Sequence, residues 1–209
     1  MGPHVGPFFL SMQPLPEIFL RFARLYKEHG FSLYMIGGTS RDYLLGLPCL
    51  DFDFVTDATP EEEKAFLPEA NYHFERFGSI KAEGCDITTL RYEEDYLDHR
   101  HPGKVRFIKD LSLDSCRRDF TINALYIDAT GKVYDFHGGL EDLRQGIIRF
   151  IGDPAKRIKE DPLRILRAHR FAKRLQFHFD PKTEEALLSL AGELSKINPD
   201  KVLMEKKKE

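Results

Sequence analysis

The chain has 209 residues, with 31 Lys+Arg against 34 Asp+Glu and a formal charge of −3. Apolar residues make up 42% and charged residues 31%, a globular balance that excludes disordered and collagen-like classes. No apolar run approaches the ~20 residues of a membrane span, and Cys49, Cys85 and Cys116 lack the CxxC spacing of a zinc site or disulfide scaffold, so a reducing, cytoplasmic setting is expected.

In chain order, Met1 to Met12 has no basic segment before Phe8, Phe9 and Leu10 and does not read as a secretory signal. Residues 17–29 place Ile18, Phe19, Phe22, Leu25 and Tyr26 at helical spacing, with Gly30 as a stop. Ser32 to Ile36 reads as a short strand, followed by Gly37-Gly38 and a helix from about Ser40 to Leu45. Leu50 to Val55 alternates as a strand, and Thr59-Pro60-Glu61-Glu62 opens another helix, with Pro at its first position behind a Thr cap. Residues 79–90 read as a hairpin turning at Glu83-Gly84, and residues 92–104 as a polar loop. Val105 to Ile108 and Ala124 to Ile127 are further strands, with a turn at Thr130-Gly131. Beyond Asp153-Pro154 the pattern is helical almost to the end. The sum is an α/β domain of roughly 150 residues followed by a helical piece.

The charge is unevenly distributed. Arg144 to His178 carries 10 Lys+Arg and 3 Asp+Glu, a local +7 that leaves −10 for the remainder. An acidic half that holds a metal beside a basic half that handles phosphates fits this asymmetry.

Asp51-Phe52-Asp53-Phe54 is the most chemical tetrapeptide. On a strand its two acids share one face, with Cα atoms ~6.6 Å apart, while Phe52 and Phe54 pack inward. Two carboxylates this close repel unless a cation lies between them, and hard oxygen ligands suit Mg²⁺, which takes further ligands from water and substrate phosphates. Asp86, on the neighbouring strand of the hairpin, is the candidate third acid of a two-metal clamp for phosphoryl or nucleotidyl transfer. Taken singly, the same DxD also describes the polar face of an amphipathic strand. Upstream, a strand, Gly37-Gly38 and a helix start aim free N–H groups at an anion, and Arg41 in the first turn adds a cation for a triphosphate. A Gly-Gly before a helix is also plain turn chemistry; its proximity to the DxD strand distinguishes it.

Several runs, in this order, resemble the tRNA nucleotidyltransferases, the CCA-adding enzymes, and within them class II, which is related to bacterial poly(A) polymerases. They are Gly37 to Gly46 (GGTSRDYLLG) with Asp51-Phe52-Asp53, Asp86 to Arg91 (DITTLR), Arg117 to Leu125 (RRDFTINAL) and Glu160 to Ala168 (EDPLRILRA). The resemblance covers about residues 34–178. It implies a polymerase-beta-like nucleotidyltransferase head, a mixed sheet flanked by helices, followed by an all-helical neck. The division it implies is an N-terminal extension and helix over 1–30, a head over 31–152 and a neck over 153–209, without the body and tail segments of the family.

Further implications concern single residues. Asp51, Asp53 and Asp86 would bind Mg²⁺, with Asp86 where the family usually carries Glu. Gly37, Gly38 and Arg41 would lie at the nucleotide, and Arg118, Asp119 and Asn123 would hold ribose and phosphates. Asp161, Arg164, Arg167 and Arg170, spaced by three, form a stripe on one helix side. Within it Asp161 and Arg164 would match the Watson–Crick edges of CTP and then ATP, as a template made of protein. Arg167 and Arg170 would meet triphosphate or the tRNA 3′ end. Asp98 and Arg100 match part of a flexible loop that positions substrate. A salt-bridged, solvated helix face is the plainer reading of the stripe, weakened by three arginines sharing one acid. Poly(A) addition is the alternative within the same chemistry, and a nucleotide- or RNA-binding module without full activity is the alternative outside it.

Overall fold

The apolar stripe that follows Pro16 winds into a helix, α1 (Glu17–Glu28), because it places Phe19, Phe22, Ala23 and Tyr26 on one buried face. Each buried aromatic contributes about 1.5–3 kcal/mol relative to exposure. This is a computed structural model, and it describes residues 13–96 and 102–207. The chain forms two compact units interleaved in sequence.

The first unit runs to Arg91 and adds Phe107–Leu111 and Leu125–Asp135. After α1 come β1 (Leu33–Met35), α2 (Gly37–Leu44), β2 (Phe52–Thr56) and the single turn α3 (Pro60–Glu63). The hairpin of β3 (Ser79–Ala82) and β4 (Cys85–Thr89) follows. The Thr59 start signal is realised as a capping box with Glu62, Pro60 standing at the first helical position. Glu83 (φ 48°) and Gly84 (φ 80°) make the β3–β4 turn left-handed at both central residues, the form that matches strand twist in two-residue hairpins.

Later in the chain lie β5 (Arg91–Tyr96), β6 (Pro102–Phe107), α4 (Leu111–Ser115), β7 (Leu125–Ile127) and β8 (Val133–Asp135). Among the described residues the first unit holds a six-stranded sheet in the order β3-β4-β2-β1-β7-β8. It is mixed: β2 and β4 are parallel, whereas β1–β2, β1–β7, β7–β8 and β3–β4 are antiparallel. Phe19 and Phe22 of α1 pack on Phe54 of β2, with ring centroids 5.4 and 6.1 Å apart. Ile36, Val55, Leu90 and Tyr126 form another part of the core. The segment expected to be a loop over 92–104 instead carries most of β5 and the first half of β6, which pair as a two-stranded sheet.

The second unit comprises Tyr92–Arg106, Ser112–Ala124 and the chain from Phe136 onward. It contains α5 (Gly139–Gln145), β9 (Ile147–Ile148), α6 (Pro154–Glu160), α7 (Leu163–Leu175), β10 (His178–Phe179), α8 (Pro181–Ser189) and α9 (Pro199–Lys206). The helical expectation beyond residue 153 therefore has one exception, β10, which pairs in parallel with β9. An Asp or Asn followed by Pro opens each later helix. Asp153, Asp180 and Asn198 cap α6, α8 and α9 with their side chains, Pro standing at the first helical position. Phe120 is fully buried, its ring 4.8 Å from Phe150 and edge-on to Phe171, so it is a packing residue.

Candidate functional site

In the first unit the acids are set by sheet register. Asp53 lies opposite Asp86 on the parallel strands β2 and β4, and Asp86 lies opposite Lys81 on β3. Asp51 sits one residue before β2, in a bend, and is exposed. It thus departs from the expectation of a regular strand through both acids. The inward-facing half of that expectation holds for Phe54, which is buried, and only partly for Phe52. Lys81 Nζ holds the Asp86 carboxylate at 3.0 and 3.1 Å, both side chains half exposed.

The Gly-Gly turn belongs to the helix itself. α2 begins at Gly37, three residues earlier than expected, with Ile36 extended ahead of it. Gly37 is left-handed (φ 66°), and a Cβ there would lie 3.2 Å from Asp53 Oδ2, so glycine is what lets this backbone approach the carboxylate. The first-turn N–H groups of α2 have no intrahelical acceptor. Arg41 lies deeper than its first-turn position suggests. Its guanidinium is buried, donating from Nε (2.8 Å) and Nη2 (2.7 Å) to Asp42 Oδ1, so it braces α2 from inside. The four successive residues Thr39, Ser40, Arg41 and Asp42 span nearly a full turn and are all buried, so α2 is covered around its circumference.

Among the described residues no three His, Cys, Asp or Glu side chains are grouped to enclose a metal ion. The donor set fits a hard divalent cation of the kind that takes one or two carboxylates and completes its shell with water and phosphate. The glycine cradle against Asp53 leaves such a cation room.

In the second unit the RRDFTIN and EDPLR runs meet in a lattice of ion pairs. Asp119 accepts Arg164 Nε on Oδ1 (2.6 Å) and Arg167 Nε on Oδ2 (2.7 Å). Arg164 also donates to Glu160 Oε2 (2.9 Å) and to the Arg157 carbonyl (2.6 Å), and its side chain is 4% exposed. Arg167 Nη2 donates to Asp161 Oδ2 (2.7 Å). Burial disfavours ionised Asp119, but Arg167 and Arg164 outweigh it and hold the carboxyl well below the usual range. Burial likewise works against charged Arg167, and Asp119 and Asp161 raise it above its ordinary value.

The stripe on one helix is corrected in the same place. Asp161 lies outside α7, at the joint after α6, because Pro162 disfavours a helical conformation in the residue before it. From there its Oδ1 accepts the Leu163 N–H at 3.1 Å and caps α7. Arg170 is a turn further along, where it donates to Glu205 Oε1 of α9 (2.9 Å) and stacks on Phe171. Asn123 ends a short 3₁₀ turn, partly buried. Asp98 and Arg100 lie outside the described residues.

Three supporting residues escaped the sequence reading. Asp114 is fully buried and binds both arginines of the RRDFTIN run, Arg117 (2.9 Å) and Arg118 (2.9 Å). Its spacing of three and four residues ahead of them is a helical signal that could have been read. Lys81 was legible from the hairpin, since a two-residue turn at Glu83-Gly84 sets it opposite Asp86. Thr39 left no signal, because its partners Asp51 and Asp53 lie 12 and 14 residues away.

The sequence model of the poly A polymerase head domain matches residues 33–149. The CCA-adding enzyme of Bacillus licheniformis is 38% identical over 198 residues, covering 91% of this chain and 50% of that protein. That of Leuconostoc mesenteroides is 40% identical over 183 residues, covering 86% and 46%. The chain spans about half the length of the curated relatives it matches. Among solved structures, the Bacillus stearothermophilus CCA-adding enzyme in complex with CTP aligns with a TM-score of 0.83 at 35% identity, covering 93% of this chain and 49% of that one. A tRNA nucleotidyltransferase complexed with a primer tRNA and an incoming ATP analog aligns at 0.71 and 34%, covering 88% and 54%. With that head-domain model matching over more than half of its residues and with its mixed sheet reproduced in solved CCA-adding enzymes, the chain belongs to the poly A polymerase head domain family.

Proposed function

We propose that this chain is the nucleotidyl-transfer portion of an enzyme that adds C and A to the 3′ end of tRNA from CTP and ATP. In this reading selection is made by protein side chains, Mg²⁺ is the cofactor and the setting is cytoplasmic. Residues 31–152 form the head and 153–209 the helical neck. The observation that carries it is the acid row: Asp53 and Asp86 in register on parallel strands, Asp51 just upstream, and a glycine backbone against Asp53. Relatives named CCA-adding enzymes, and solved relatives holding CTP or a primer tRNA with an ATP analog, support it.

When bound by Asp51 and Asp53, with Asp86 as third acid, Mg²⁺ supplies activation of the attacking 3′-hydroxyl and charge neutralisation at the departing pyrophosphate. The N–H groups of Gly37 and Gly38 and the helix behind them favour the anionic phosphates. Arg118, steadied by Asp114, and Asn123 contribute donors for phosphate and ribose. Asp119 orients Arg164 and Arg167. Asp161 offers an acceptor and Arg164 a donor to a base edge, the complementarity a cytosine or adenine requires.

The test is incorporation of labelled CTP and ATP into tRNA lacking its 3′ end. Growth should stop after three nucleotides and vanish in Asp53→Asn while the fold persists by circular dichroism. Poly(A) addition is the second reading, favoured by the matching head-domain description, and a long A tail would select it. Turnover retained in Asp53→Asn would remove the acid row from the chemistry, and nucleotide binding with no incorporation would leave a binding module.

A further inference from the structure

Asp51 and Asp53 sit where the sheet runs out on one side. β1 ends at Met35, so its ladder with β2 has its last pair at Met35↔Phe54, closed by the Ile36 N–H donating to the Asp53 carbonyl at 3.1 Å. On the other side β4 continues to hold the segment through Phe52↔Cys85 and Asp53↔Asp86. A strand with a partner on one edge only is free to twist there, and two carboxylates on it would then change their spacing.

Thr39 stands in the missing place. Its Oγ1 accepts the Asp53 N–H at 2.7 Å and donates to the Asp51 carbonyl at 3.0 Å. A neighbouring strand residue would satisfy these same two kinds of group, an N–H and a C=O, and only a hydroxyl can serve both from a single atom. The side chain is 1% exposed, which keeps water from taking over the role. Thr39 is itself fixed in the first turn of α2, the turn whose Gly37 lies against the Asp53 carboxylate. One short segment therefore sets both the backbone of the acid pair and the space beside it.

We propose that Thr39 is a positioning residue for the acid pair, its hydroxyl substituting for an absent strand partner and holding Asp51 and Asp53 at the spacing a divalent cation needs. This rests on reading those two acids as metal ligands. Valine at position 39 keeps the shape and loses both hydrogen bonds, leaving a part-buried N–H and C=O unmet by the side chain that held them; serine keeps the bonds and loses a methyl group. The measurement is Mn²⁺ binding to the 209-residue chain without nucleotide, followed by electron paramagnetic resonance, with thermal unfolding as the check on folding.

Thr39→Val should weaken Mn²⁺ binding at least tenfold, and Thr39→Ser should stay within about threefold of the wild type. Should Thr39→Val fail to fold, Thr39→Ala against Thr39→Ser makes the same comparison. Binding unchanged in a folded Thr39→Val or Thr39→Ala, while Asp53→Asn loses it, overturns the role of Thr39 and leaves the metal reading intact. Wild-type binding in Asp53→Asn overturns both.

Discussion

Glu63 shows how one buried side chain can carry a pH dependence. It is buried at the end of α3 and accepts a short hydrogen bond from the Tyr26 hydroxyl of α1. Burial pushes its carboxyl up to about 8, against the opposing effect of that bond. A carboxyl raised in the folded state holds a proton that the unfolded chain has already released at neutral pH. Its contribution is therefore complete below about 4.5 and is lost as pH climbs to about 8, at up to about 1.4 kcal/mol per pH unit. Urea unfolding between pH 5 and 9 should show that decline, and Glu63→Gln should flatten it. An unaltered slope in the variant would assign the dependence to another group.

At the scale of elements, the joint between α6 and α7 organises the second unit. Pro162 breaks the helix, Asp161 caps the next one, and α7 thereby presents Arg164 and Arg167 to Asp119, which lies 45 and 48 residues earlier. Both arginines are largely buried, so removing the shared carboxylate strands two charges that burial already disfavours. Asp119→Asn should cost about 3–5 kcal/mol, the usual range for breaking a buried pair. Chemical denaturation checks this, and a change below about 1 kcal/mol would mean that Glu160 and Asp161 suffice. The sequence marked these residues but not their partnership. Spacing by three suggested a single stripe, and the stripe is interrupted because the local preference of a residue before proline overrides the periodicity.

For the molecule as a whole, the +7 of residues 144–178 overstates the field available to RNA. Arg157, Arg164, Arg167 and Arg170 are turned inward and matched by Glu160, Asp119, Asp161 and Glu205. Arg144, Lys156, Lys159, Lys173 and Arg174 are the exposed cations of the segment. If the proposed RNA substrate binds there, replacing Lys173 and Arg174 together by Ala should reduce the log–log salt dependence of tRNA affinity by about 1.4–1.8. Arg170→Ala should instead lower stability and leave that slope nearly unchanged. Equal effects on the slope would show that Arg170 releases Glu205 for phosphate.

Much of this protein is legible in short stretches of its sequence. The strand–glycine–helix–DxD succession, the Glu83-Gly84 hairpin and the capped helix starts are local: each depends on residues within a few positions of one another, where backbone preference and capping chemistry act. The order of the motifs was enough to indicate the family. Tertiary structure decided what those side chains face. It turned Arg41 inward onto Asp42, made Asp119 the anchor of two arginines and set the Thr39 hydroxyl between Asp51 and Asp53. Those outcomes depend on which face of each element is buried and on contacts between residues distant in the chain, and neither composition nor spacing contains them.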